Sequence, residues 1–119
     1  MKESHYVRKL MKKLREMPKT WWTRVEQKTG IRGTPDIIGS VKCPMCPHSR
    51  AVFIEAKTMT GKASPLQVET IRQLILTGAF AKIVHLPRDE SKVIQDLRLL
   101  RDGEFSQNVD LAHPQEDGE

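Results

Sequence analysis

Two charged residues interrupt an apolar stretch near the middle of the chain, in the segment AVFIEAKTMTGK (51–62). Glu55 and Lys57 stand among residues typical of a buried strand, where an isolated charge is costly. Side chains two apart on a strand share a face, so these two should lie about 7 Å apart along it. If the preceding strand pairs with this one as a hairpin, Asp36 at its entry falls beside them. Two carboxylates and an amine would then meet at one end of a small sheet.

These three groups could hold the parts needed to hydrolyse a phosphodiester, which are a metal ion, a nucleophilic water and a cationic helper. Two neighbouring carboxylates repel each other unless a cation is present, and hard oxygen ligands suit Mg²⁺ or Mn²⁺. A lysine beside such a site can orient a water molecule or stabilise the charge that develops on a phosphate. The pattern by itself also fits a surface Glu–Lys pair on an edge strand, with Asp36 as a turn residue. The spacing therefore leaves a metal site and a simple ion pair both open.

The elements predicted around these residues give an α/β fold. Apolar residues at spacings of three and four predict helices, and alternating or β-rich segments predict strands. Pro18 should end the first helix, and Ser64 followed by Pro65 should open the second. In chain order we expect a helix at 4–17, strands at 20–27, 35–41 and 50–58, a helix at 65–77, a strand at 79–87 and a last helix that stops at Gly103.

Composition is that of an ordinary single-domain globular protein. The 119 residues suffice for one core, and no apolar run approaches the roughly 20 residues that span a bilayer. The N-terminus lacks the apolar core of a signal peptide, so we expect a cytosolic protein with no membrane partner. Residues 1–50 carry twelve Lys and Arg against four Asp and Glu, which suits a polyanionic partner such as nucleic acid. The acidic end, residues 103–119, is expected to be a flexible tail.

The joint pattern of these segments resembles the PD-(D/E)-x-K nuclease superfamily and, within it, the VRR-Nuc (virus-type replication-repair nuclease) domain. Pro35 and Asp36 are followed, after eighteen residues, by the E-x-K motif at 55–57. The matching segments are GTPDIIG (33–39), FIEAKTMTGKASPLQ (53–67) and LILTGAFAKIVH (74–85). The resemblance implies a small restriction-endonuclease-like α-β-β-β-α-β core over residues 1–102, with a mixed central sheet flanked by helices.

The resemblance also implies roles for the central residues by position. Asp36 and Glu55 would bind the divalent metal, together with the backbone carbonyl of Ala56. Lys57 would be the catalytic helper. The charges in the strand would then be tolerated because the strand ends at a metal site, where Mg²⁺ or Mn²⁺ and a phosphate satisfy them.

Two further site residues are implied by the resemblance and located by helical spacing. A glutamine early in the second helix corresponds to Gln67, which lies four residues before Ile71 and so faces the sheet; as an alternative, it caps the helix edge. A glutamate on the first helix would add a metal ligand. Glu3 is chosen over Glu16 because it lies four residues before Val7 and extends the buried stripe.

The implied activity is that of a metal-dependent, structure-specific DNA endonuclease. Its substrate would be branched DNA, such as a flap or a four-way junction, and its active form a homodimer. Two alternatives remain open from the sequence. One is a non-catalytic nucleic-acid-binding module with a Cys/His zinc turn, and the other is a restriction-like nuclease that cuts at a specific sequence.

The segment CPMCPH departs from this pattern. Cys43 and Cys46 have C-x-x-C spacing, and His48 follows two residues later. A structural zinc site usually has four ligands, so these three would need a fourth from His85, His113 or a second subunit. A plain reduced turn and, less readily, a redox motif are the alternatives.

Two other sets of residues are candidates for contact with nucleic acid. One of the adjacent residues Trp21 and Trp22 could stack on a base, although core packing is expected for one of them. Basic side chains around the proposed site could contact phosphates. These are Lys28, Arg32, Lys42, Lys62 and Arg72.

Overall fold

The computed structural model describes residues 3–25, 33–45 and 47–103, and within them it contains the predicted elements in the predicted order. The helices are α1 (Glu3–Arg15), α2 (Pro65–Leu76) and α3 (Glu90–Arg101), and the strands are β1 (Thr20–Arg24), β2 (Ile37–Lys42), β3 (Ser49–Lys57) and β4 (Phe80–His85). The predicted tail lies outside the described residues from position 104 onward. None of the helices in the described ranges is both long enough and apolar enough to cross a membrane.

The four strands form one mixed sheet in the order β1-β2-β3-β4. The pairs β1–β2 and β2–β3 are antiparallel, whereas β3 and β4 are parallel. Parallel neighbours need a crossover connection, and α2 with its flanking loops supplies it. The C-terminal end of β3 therefore lies between the start of β2 and the C-terminal end of β4.

Helices pack on both faces of the sheet. On one face, Leu14 of α1, Leu97 of α3 and Ile54 of β3 are fully buried in one hydrophobic cluster. On the other face, Ile71 of α2 packs in a second cluster with Phe53. Successive residues of β3 thus point to opposite faces, as strand geometry predicts. By the same alternation, Glu55 and Lys57 lie on the same face of the sheet as Phe53.

Gly39 of β2 allows a large aromatic side chain to lie directly on the sheet. Trp22 pairs with it across the β1–β2 ladder and is only 3% exposed. A Cβ atom at Gly39 would stand 2.1 Å from Cε3 of that ring. The indole N–H donates to Oγ1 of Thr20 at 2.8 Å, which satisfies its polar group. Trp21 is 62% exposed, so one tryptophan of the pair lies in the core, as predicted.

Candidate active site

The β2–β3 hairpin brings Asp36 to the end of β3. The next residue, Ile37, pairs with Ile54, so Asp36 enters the hairpin beside Glu55. The carboxylate oxygen Oδ2 of Asp36 accepts a hydrogen bond from the backbone N–H of Ala56 at 2.9 Å. This bond ties the aspartate to the partner strand at the position that the hairpin prediction requires.

Glu55 and Lys57 lie side by side on the face of the sheet against which α2 packs. Glu55 is only 3% exposed, and Nζ of Lys57 lies 3.3 Å from its Oε2. A buried carboxylate is costly unless it is paired and hydrogen-bonded, and the ammonium group supplies the opposite charge. The side chain of Lys57 keeps 19% exposure, so the pair has one member in the interior and one that reaches the surface.

Gln67 joins the first turn of α2 to the carboxylate of Glu55. Its Nε2 donates to Oε2 of Glu55 at 2.9 Å, while its Oε1 accepts from the backbone N–H of Ser64 at 2.9 Å. Oγ of Ser64 accepts in return from the backbone N–H of Gln67 at 3.1 Å, which completes a capping box. Since only the NH₂ group of an amide donates, these bonds fix its orientation. The inward orientation and the helix cap, considered as alternatives above, are both present.

A buried histidine anchors the loop that follows Lys57. Parallel pairing places His85 opposite Lys57, and His85 is 8% exposed. Its Nε2 lies 2.9 Å from the carbonyl oxygen of Gly61, in the loop between β3 and α2. Because His85 lies beside Lys57, at the other end of β3 from the Cys43 turn, it does not supply the fourth zinc ligand considered from the sequence. Sequence reasoning assigns it no role in this loop, because the parallel pairing of β4 with β3 depends on a crossover that hydrophobic periodicity does not reveal. The histidine holds this loop, and thus the start of α2, to β4.

Asp89 lies next to His85 and immediately before α3. Its Oδ2 accepts from the backbone N–H of His85 at 2.8 Å, and its two oxygens accept from Arg88 at 2.8 and 3.1 Å. Burial is the largest single influence on this carboxyl and raises its pKa. The hydrogen bonds from Arg88 and His85, with the charges of both side chains, together outweigh burial. The pKa of Asp89 therefore lies below its ordinary value of 3.8.

Asp36 and Glu55 are the carboxylates that a cation at this end of the sheet could use, and the carbonyl of Ala56 follows Glu55 along β3. This donor set fits a hard divalent ion such as Mg²⁺ or Mn²⁺. Among the residues that the structure describes, no three His, Cys, Asp or Glu side chains form a metal-binding group. Glu3 begins α1, but its side chain lies outside the described part of the chain. Its role as a ligand stays a prediction.

The segment with the predicted zinc ligands connects β2 to β3 at the opposite end of the hairpin. The backbone N–H of Cys43 donates to the carbonyl of His48 at 3.0 Å, which closes the turn. Cys43 is half-buried and His48 is exposed, whereas Cys46 lies outside the described residues. Since β3 starts here at Ser49, a zinc ion in this turn would lie about 20 Å along the strand from Glu55. Zinc binding stays a prediction.

The basic residues predicted to flank the site occupy different places. Lys42 ends β2, about 20 Å along the strand from Asp36, so it does not flank the site. Lys62 is exposed in the loop before α2. Arg72 on α2 forms an ion pair with Glu69 at 3.4 Å. Two of the predicted residues lie outside the described ranges, Lys28 and Arg32.

Comparison with known proteins shows that this architecture also occurs among solved structures. No protein-family model matches the chain, and no curated protein matches it either. A solved structure described as a VRR_NUC domain protein superimposes with a TM-score of 0.65 and 19% sequence identity. The match covers 84% of this chain and 90% of the other. The fold expected from the motif segments is confirmed: the chain has the fold of a VRR-Nuc domain.

Proposed function

We propose that this chain is a metal-dependent endonuclease that hydrolyses phosphodiester bonds in DNA. The observation that carries the proposal is the assembly of Asp36, Glu55, Lys57 and Gln67 at one end of the sheet. Two carboxylates from adjacent strands could hold the metal ion that activates a water molecule, and the half-buried ammonium group could stabilise the charge on the phosphate. The shared fold with a VRR_NUC domain protein and the basic N-terminal half of the chain support the same activity.

Each side chain has a distinct part in the proposed reaction. Asp36 and Glu55, with the carbonyl of Ala56, would hold Mg²⁺ or Mn²⁺, which would offset phosphate charge and lower the pKa of a water molecule. Lys57 would orient the attacking water and stabilise the charge that develops on the phosphate oxygens. Gln67 would keep the carboxylate of Glu55 in one orientation, through the hydrogen bond at 2.9 Å.

The proposal extends to branched DNA, either a flap or a four-way junction, cut by a homodimer. A four-way junction offers equivalent strands related by symmetry, and two sites related by a twofold axis would address two of them together. Junction cleavage and dimerisation are therefore linked. Light scattering after size exclusion should give twice the mass of one chain, and the two incisions in a junction should be symmetric. A monomer that cuts only flaps would remove both the dimer and the junction from the proposal.

The test is cleavage of a labelled panel of single-stranded, duplex, flap and four-way junction DNA, with an RNA strand as a further substrate. Each would be incubated with EDTA, Mg²⁺ or Mn²⁺. We expect cleavage that requires the metal and falls at least about 100-fold in Lys57→Ala. Lys9→Ala is the matched control, because Lys9 is an exposed lysine on α1, away from the site. Its rate should equal that of the unaltered protein.

Other outcomes would point to the alternatives. Binding of the junction without cleavage under any metal would support a non-catalytic module, with the Cys43 turn as its candidate zinc site. Cleavage of plain duplex at a single sequence would support a restriction-like nuclease. Equal loss of activity in Lys57→Ala and Lys9→Ala would remove the assigned role of Lys57, since a general loss of positive charge would then explain both.

A further inference from the structure

A cationic groove runs between α1 and the edge strand β1, away from the residues assigned to the site. It encloses about 450 Å³. Its lining contains four basic side chains, one acidic side chain and one methionine. These are Arg8, Lys12, Arg15, Arg24, Glu16 and Met11. We call this surface the α1–β1 groove.

Helical spacing explains why three of these cations line up. Arg8, Lys12 and Arg15 are separated by four and three residues, so they project from one side of α1. At a rise of about 1.5 Å per residue, they span about 10.5 Å along the helix. Met11 belongs to the buried stripe of α1, and Arg24 comes from β1. The packing of α1 on β1 therefore turns separate surface charges into a row.

The row carries an excess of positive charge that other described residues do not neutralise by ion pairs. Across residues 3–25, 33–45 and 47–103, none of the four cations forms a salt bridge. By contrast, Lys13, on the other side of α1, pairs with Glu90 at 3.1 Å. Like charges placed together repel one another and attract a polyanion. The groove is thus complementary to a row of phosphates.

One residue of the groove, Arg24, lies at the same end of the sheet as the candidate active site. Arg24 is the last residue of β1 and pairs with Ile37. The backbone N–H of the next residue, Val25, donates to the carbonyl of Asp36 at 2.7 Å. Arg24 and the site lie on opposite faces of the sheet, with the β1 edge between them. A ligand that passes this edge can therefore contact both.

We propose that the α1–β1 groove binds the phosphate backbone of a duplex arm of the DNA substrate. Each strand of B-DNA advances about 3.4 Å along the helix axis per phosphate, so a row of about 10.5 Å can face about three phosphates. The inference rests on the proposed nuclease function for the identity of the ligand as DNA. The inference places the duplex arm on a surface that the sequence does not predict. The basic residues chosen from the sequence for phosphate contact do not line this groove.

The first test compares two double variants that each remove one arginine and one lysine. Arg8→Gln/Lys12→Gln alters the groove, whereas Lys9→Gln/Arg98→Gln removes the same charge from exposed positions outside it. Binding to a labelled duplex-armed junction would be measured by fluorescence anisotropy in EDTA, from 50 to 200 mM salt. For the groove variant we expect a roughly tenfold higher Kd and a salt slope smaller by about 2, since each phosphate contact contributes about 0.9. The control variant should keep the slope of the unaltered protein.

A second measurement uses the unaltered protein. Lysine acetylation followed by mass spectrometry should show Lys12 protected when DNA is bound, while Lys9 on the same helix stays reactive. Equal effects of the two double variants, or equal reactivity of the two lysines, would overturn the inference. A variant that changed the oligomeric mass but not DNA binding would make the groove a protein interface instead. Thermal midpoints of all variants would show that each is folded.

The binding test and the cleavage test can fail separately. Binding is measured in EDTA, so its result does not depend on metal-dependent cleavage. If cleavage fails while the groove variant loses its salt slope, the groove inference stands and the nuclease proposal falls. If cleavage succeeds while the two double variants bind alike, the nuclease proposal stands and the groove inference falls. Tighter binding to single strands than to duplex arms would overturn the assignment to a duplex.

Discussion

Gln67 and Gln73 on α2 form a natural comparison, because each donates its side-chain Nε2 to a glutamate carboxylate. Gln67 donates to Glu55, which is 3% exposed, at 2.9 Å. Gln73 donates to Glu69 at 2.6 Å, but the side chain of Glu69 is 53% exposed. Replacing each glutamine by alanine therefore removes the same chemical group from one buried and one exposed carboxylate. The difference between the two variants reports the effect of burial together with the smaller effect of the helix cap that Gln67 forms with Ser64.

The expected magnitude for Gln67→Ala follows from its contacts. A hydrogen bond to a charged group contributes about 1.5–3 kcal/mol, and the loss of the bond to the Ser64 N–H adds a few tenths. The higher helix propensity of alanine returns a few tenths. We expect Gln67→Ala to lower the free energy of unfolding by about 2 kcal/mol, which is roughly a 30-fold change in the folding equilibrium. Gln73→Ala should cost about 0–0.5 kcal/mol because water replaces its bond.

Urea unfolding at pH 7 in EDTA, followed by circular dichroism and tryptophan fluorescence, would measure both variants. Coincident transitions by the two probes would support two-state analysis. If Gln67→Ala were no more destabilising than Gln73→Ala, the carboxylate of Glu55 would not depend on Gln67. The assigned role of Gln67 in positioning the site would then be wrong. The same two variants in the cleavage assay should separate in kcat, with Gln73→Ala unchanged.

Two further predictions concern stability. Gly39→Ala should lower the free energy of unfolding by about 1–3 kcal/mol, because its methyl group would displace the buried ring of Trp22; a thermal midpoint no lower than that of Ser40→Ala would contradict this. The pKa of Asp89 is depressed in the folded state, so its ionised form stabilises the protein above about pH 4, and this contribution is lost as pH falls through the folded pKa. The difference in urea midpoint between Asp89→Asn and the unaltered protein should therefore be present at pH 7 and shrink below about pH 4; a difference that is constant from pH 7 to pH 2 would show that ionisation is not its cause.

The order and faces of the elements could be predicted because they depend on local patterns. Ser64 and Pro65 mark the start of α2, and Pro18 follows the end of α1 after a short turn. Alternation along β3 separates its two faces before any partner strand is known. The short link between β2 and β3 predicts a hairpin, and the hairpin brings Asp36 to Ala56. These parts of the fold and site depend mainly on residues that are close together in the sequence.

Other parts depend on packing between distant segments and could not be predicted in this way. The contact between His85 and Gly61 requires the parallel register of β4 beside β3. The α1–β1 groove requires Arg24 to pack near Arg8, which periodicity within α1 alone does not reveal. Lys42 shows the converse error: it is only six residues from Asp36, but an extended strand carries it about 20 Å away.

The capping box at the start of α2 couples the local stability of that helix to the state of Glu55. One side chain, Gln67, serves both, so fraying of the first helical turn and release of the carboxylate are a single opening event. Thermodynamic linkage then requires reciprocity: a ligand that fixes Glu55 lowers the equilibrium population of the open turn, and a more stable turn raises the affinity for the ligand by the same factor. The backbone N–H groups of Gln67 and Val68 both donate to Ser64. Their hydrogen exchange rates therefore report the occupancy of the site in the absence of any substrate.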